Sequence, residues 1–112
     1  MDEQIEKPLT YIRDRARPYA DAKASRVYLE QFRKCKKSML FIEAEQKGVK
    51  TIAEREAYAY AHPEYLELLE GLRVAVGEEE RLKMQITAAQ LRIDLYRTEQ
   101  ANQRTERKGY GA

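Results

Sequence analysis

The chain has 112 residues, 36% of them charged, with 21 Lys/Arg against 19 Asp/Glu and a net charge of +2 at pH 7. That length holds one domain at most, and few glycines and prolines with no Trp favour segregated helices around a narrow core over a sheet. The single Cys35 excludes an internal disulfide and suits a reduced setting.

Residues 1–18 show no clear period. Pro8 and Pro18 bracket a mixed segment expected to be loosely structured, and its acids, bases and prolines are unlike a secretory signal. From Tyr19 a helical pattern begins. Ala24, Tyr28, Phe32, Cys35, Met39 and Ile42 recur at spacings of four and three, which predicts that this stripe is the seam of a long first helix. Lys47-Gly48-Val49 reads as its end: a base at the negative terminus, then a glycine able to turn left-handed.

Thr51-Ile52-Ala53-Glu54 has the form of a capping box and opens a short second helix that runs to about Ala61. His62-Pro63 breaks it, with His62 in a capping or packing role. Pro63 suits the first position of a third helix reaching about Arg107. A helical domain over 19–108 and a disordered tail over 109–112 follow.

The third helix carries two apolar stripes. Leu72, Ala75, Glu79, Leu82, Ile86, Ala89, Ile93 and Tyr96 form one; Met84, Ala88, Leu91 and Leu95 lie roughly opposite. The first is the expected hairpin seam, facing Tyr28, Phe32, Met39 and Ile42. The second needs another surface, and a second copy of the chain is the expected partner. The fold reading is therefore all-α: a long antiparallel helical hairpin with a short helix at the turn, self-associating into an elongated coiled-coil-like bundle. Gly71 and Gly77 interrupt the third helix at a cost of about 1 kcal/mol each. They read either as tolerated weaknesses or as points of close backbone contact with the short helix.

Charge is unevenly distributed. Residues 7–38 hold ten Lys/Arg and three Asp/Glu, residues 39–80 hold four against ten, and residues 81–112 hold seven against three. In an antiparallel hairpin the open end is then basic, with Arg13, Arg15, Arg17, Lys23 and Arg26 from one helix and Arg92, Arg97, Arg104 and Arg107 from the other. Bases with interleaved Tyr11, Tyr19 and Tyr96 suit non-specific nucleic-acid binding. The densest basic run, Arg33 to Lys37, is expected opposite Glu78-Glu79-Glu80. At the acidic turn end, Glu54, Glu56 and Glu67 with Tyr58, Tyr60 and Tyr65 form a candidate protein-binding surface, because interface cores favour Tyr.

Constellations for chemistry are missing from the sequence. His62 is the sole histidine, Cys35 lies on the apolar stripe, and the three consecutive glutamates point in different directions on a helix. No zinc spacing, Glu-x-x-His pair or phosphate-cradling glycine loop is present. No enzyme activity, catalytic residue, metal or cofactor is expected. The longest apolar run, Met39 to Ile42, is far too short to span a membrane, so a soluble protein of the cytoplasm is expected, with no membrane partner.

The segment Ala53-Glu54-Arg55-Glu56-Ala57-Tyr58-Ala59-Tyr60-Ala61-His62-Pro63-Glu64-Tyr65, with Leu69-Glu70-Gly71-Leu72 and downstream Ala89, Arg92, Ile93 and Arg97, resembles a family of small uncharacterised all-helical proteins of tailed bacteriophages and prophages. The resemblance covers about residues 19–105. It implies an accessory role near phage genes for replication or recombination, in the host cytoplasm, and carries over no catalytic residue. The expected function is thus a non-enzymatic phage accessory protein in DNA replication or recombination. It would act through DNA contact at the basic end or through a host or phage DNA-processing protein. The alternative is a protein-binding inhibitor or modulator of a host enzyme or defence system, using the acidic tyrosine-bearing end. Either would be a homodimer or higher homo-oligomer.

Overall fold

A computed structural model describes residues 2–111; Ala112, the last residue of the expected disordered tail, lies outside the described residues. The described residues are all-α, in three helices: α1 (Glu3–Gln46), α2 (Ile52–Ala61) and α3 (Pro63–Gly111).

The N-terminal segment is helical, which corrects the expected start at Tyr19. Asp2 caps α1: its carbonyl accepts the N–H groups of Ile5 and Glu6 at 3.1 and 2.8 Å, and its carboxylate accepts the N–H of Gln4 at 2.8 Å. The helix then passes through Pro8 and Pro18. An interior proline removes one backbone hydrogen bond and crowds the carbonyl four residues earlier, at about 3 kcal/mol. Packing offsets this here: Pro8 is buried, and Tyr11, Ile12, Arg15 and Tyr19 are half-buried. At the other end of the chain, α3 continues to Gly111, through residues expected to be disordered.

The connection obeys local chemistry. Gly48 adopts φ 89°, the left-handed region that glycine enters without a Cβ penalty, and the Val49 N–H returns to the Ala44 carbonyl at 3.0 Å. Thr51 accepts the Glu54 N–H at 3.1 Å on its side-chain oxygen and so caps α2. His62 accepts the Glu64 N–H at 3.1 Å on Nδ1, opening α3 beside Pro63.

The chain divides into two compact units that cut across α1 and α3: residues up to Ala20 with those from Glu80 onward, and Asp21–Glu79. In the first unit, Pro8 of α1 and Leu82, Ala89 and Ile93 of α3 are buried. Arg15 meets Gln85 while Asp2 meets Tyr96, so the two segments run antiparallel. In the Asp21–Glu79 unit, Leu40, Ala59 and Tyr65 form a core that Leu69 joins, and Ala44 is fully covered.

The α3 seam follows the expected stripe: Leu82, Ala89, Ile93 and Glu79 are buried, and Leu72, Ala75, Ile86 and Tyr96 are half-buried. The α1 seam does not. Tyr28, Met39 and Ile42 are 64%, 56% and 52% exposed, Cys35 is exposed, and Phe32 is half-buried. The inward positions in that unit are instead Arg26, Leu29, Arg33, Lys36 and Leu40, also spaced by three and four. Long Arg and Lys stems cover apolar neighbours while their charges reach acids on α2 and α3. A polar face with specific charge partners thus takes the seam, and the more apolar face is left outside.

Beyond the adjoining residues and backbone of α3 itself, no atom lies within 4 Å of the Cβ position at Gly71 or Gly77, so neither marks a close backbone approach; both are interior weaknesses of α3.

Candidate functional site

The expected phosphate-binding bases separate into two groups. Arg26 and Lys23 belong to the Asp21–Glu79 unit and the rest to the other. Arg26 is neutralised there: it bonds both carboxylate oxygens of Glu79 and those of Glu30, the latter at 3.0 Å, and these contacts raise its pKa, the Glu79 bond most. It is removed from the candidate phosphate contacts, because its charge already faces two acids. Lys23 is exposed.

In the unit formed by the two chain ends, Arg15 is half-buried. Its guanidinium lies 3.2 Å over the Tyr11 ring and its Nε donates to Gln85 at 3.2 Å, so part of its donor set is committed. Arg13 approaches Asp14 at 3.6 Å, and Arg17 is exposed but engaged. Arg92 lines a groove of about 400 Å³ with Lys7, Pro8, Tyr11, Gln85, Ala88 and Ala89. Lys7 there is paired with Glu3 at 2.8 Å. Arg97, Arg104 and Arg107 lie on the last turns of α3, where every residue from 97 to 109 except Gln100 is exposed. Lys108 joins them in the last turn. Arg97, Arg104 and Lys108 share one side of the helix, at spacings of seven and four.

The acidic tyrosine-bearing region is largely occupied with its own unit. Tyr65 is a core residue at 7% exposure, not an exposed anchor. Its ring meets Tyr60 edge-on at 5.3 Å. Tyr58 donates to Glu43 at 3.0 Å and accepts from Lys47 at 3.0 Å, and Lys47 has a raised pKa chiefly through that bond. Tyr60 remains 44% exposed, with the Lys37 ammonium 4.7 Å from its ring centre. Glu56 faces Lys37 at 3.9 Å, while Glu54 and Glu67 are exposed. The basic run Arg33 to Lys37 therefore meets Glu56 and Glu64 through Lys37 and Lys36, the Lys36–Glu64 bond being 3.1 Å. Of the acids expected opposite this run, Glu79 is engaged by Arg26. Sequence reasoning missed these lysine–tyrosine and lysine–glutamate pairs, because their positions depend on where α2 folds back.

Met84, Leu91 and Leu95 are 64%, 61% and 60% exposed, and Ala88 is exposed as well. Among the described residues, no three His, Cys, Asp or Glu side chains gather as a metal site. No described helix is long and apolar enough to cross a membrane. No protein-family model, curated protein or solved structure matches the chain.

Proposed function

We propose that this protein is a non-enzymatic, self-associating helical accessory factor that contacts nucleic-acid phosphates through the last turns of α3. The resemblance of about residues 19–105 to a family of phage proteins favours DNA replication or recombination as its setting. The observation that carries the reading is the exposed stretch 97–109, where Arg97, Arg104, Arg107 and Lys108 outnumber Glu99 and Glu106. Exposed bases on one helix suit phosphate contact without base readout, each displacing a condensed counterion.

Self-association draws support from the thin core. Among the described residues, eight apolar side chains, Pro8 included, are buried while thirteen large ones are exposed. In this reading α1 and α3 form one long hairpin, and Met84, Ala88, Leu91 and Leu95 meet the same residues of a second copy. The alternative, a modulator of a host enzyme or defence system through the acidic end, has less support, because Tyr65 is buried and Glu56 and Glu64 face lysines.

Fluorescence anisotropy with labelled single-stranded and duplex DNA tests the proposal. Four phosphate contacts predict a slope of log K against log salt of about −3 to −4. Arg97→Glu with Arg104→Glu should abolish binding and leave helicity intact. Binding retained by that variant overturns the basic-arm reading. An unchanged solution mass in Leu91→Asp with Leu95→Asp overturns the α3 dimer face.

A further inference from the structure

The Asp21–Glu79 unit leaves one side of α1 uncovered. Tyr28, Met39 and Ile42 are each more than half exposed, with exposed Cys35 between them and Phe32 at its edge. The stripe is ordered: the rings of Tyr28 and Phe32 stack with centroids 5.9 Å apart and planes within 7°. It follows the three-four spacing of a two-helix seam over about 21 Å of helix. The unit's own buried apolar residues are only Leu40, Ala44, Ala59 and Tyr65, two of them alanines. So thin a core cannot by itself support three helical segments.

We infer that this α1 stripe is a second self-association surface, distinct from the one on α3, on which α1 of another copy lies antiparallel. Its sequence has the self-complementarity that a two-fold interface requires. With the axis between Arg33 and Lys34, Tyr28 falls opposite Met39 of the second copy and Phe32 opposite Cys35. Aromatic ring then meets thioether, a favourable contact, and a large side chain meets a small one. The residues flanking the stripe nearest the axis are Gln31 and Ser38 on one side and Lys36 and Leu29 on the other. Lys36, the one charged residue among them, is already paired with Glu64 at 3.1 Å. A second copy therefore meets no unneutralised like charge along the axis, whereas a charged partner finds no counter-charge there. Two separate two-fold faces on one chain give tetramers or longer chains of copies.

Cys35 sits near the axis and reports on the contact. Its Cα would lie roughly 10 Å from the same atom of the second copy, given helix rise and interhelical spacing. That is too far for an unstrained disulfide and suited to a short bismaleimide, to which each thiol adds across a carbon–carbon double bond. The full-length protein at low micromolar concentration is treated with bis(maleimido)ethane and run on a denaturing gel.

Covalent dimer is the expected main product. Tyr28→Asp with Met39→Asp should reduce it at least tenfold at unchanged helicity, and Gln31→Glu, which sets two carboxylates beside the axis, severalfold. Dimer yield equal to that of urea-unfolded protein, or yield undiminished in both variants, overturns the inference. The Leu91→Asp, Leu95→Asp background separates this surface from the α3 face. Dimers that still cross-link there support the α1 surface, whereas monomers that do not cross-link exclude it and leave the α3 face standing.

Discussion

Arg26 of α1 and Glu79 of α3 form a two-point contact at the inner face of the Asp21–Glu79 unit. Arg26 Nη2 donates to Glu79 Oε1 at 3.2 Å and Nε donates to Oε2, while Nη1 holds Glu30 at 3.0 Å. Glu79 is 7% exposed, and it occupies a seam position that apolar residues hold on either side. Removing one partner strands the other charge at that seam.

Arg26→Ala should therefore lower Tm by roughly 5–10 °C, and by far more than Arg13→Ala, whose pair with Asp14 is exposed. Arg26→Met combined with Glu79→Leu should recover most of the loss, because a buried ion pair gives little net stability over apolar residues of similar volume. Calorimetry on the three variants decides it, and equal Tm values for Arg26→Ala and Arg13→Ala would refute the assignment.

Tyr65 is the largest side chain of the core it shares with Leu40, Ala59 and Leu69. Tyr65→Ala should cost about 3 kcal/mol in denaturant unfolding, by lost burial and the cavity left behind. Tyr60→Ala, at a ring 44% exposed, should cost about 1 kcal/mol or less. The order of these two values separates a core tyrosine from a surface one.

Pro18 lies exposed inside α1, where it withholds a hydrogen bond from the Asp14 carbonyl. Pro18→Ala is expected to stabilise the protein by about 1–3 kcal/mol. A fall in denaturant midpoint would show that the proline is held for packing.

The start of α1 is tied to α3 by the Tyr96 hydroxyl, which donates to the Asp2 carboxylate. That bond is the main cause lowering the Asp2 pKa below its ordinary 3.8, and the same bond raises Tyr96 above its ordinary 10.0. The Asp2 contribution is full above 3.8 and lost as pH falls through the lowered value; that of Tyr96 is full below 10.0 and lost as pH rises through the raised value. In Tyr96→Phe the Asp2 titration followed by NMR should move up toward 3.8, with faster amide exchange in the first turn of α1. An unmoved titration would mean the tie is absent in solution.

The helix ends at the two turns and the α3 seam were legible in the sequence because their chemistry is local. Thr51 with Glu54, Gly48 with Val49, and His62 with Pro63 each act within a few residues, and the Leu72–Tyr96 stripe repeats at the helical period. Of the candidate bases, those at the end of α3 keep their exposure. Arg26 does not, because its neutralisation by Glu79 joins residues far apart in sequence.

The sequence by itself determined that the chain is helical, where its two turns fall, and which side of α3 is buried. Only the tertiary structure decided which side of α1 turns inward. The apolar stripe through Tyr28 and Met39 argued for one face, and the basic residues Arg26, Lys36 and Lys37 chose the other through Glu79, Glu64, Glu56 and Tyr60. It also decided that α1 runs unbroken through Pro8 and Pro18. Local propensity opposes a helix at both prolines, and the burial of Pro8 with the contacts of Arg15 and Asp2 to α3 outweighs that preference. Such contacts depend on segments distant in sequence, which no local pattern encodes.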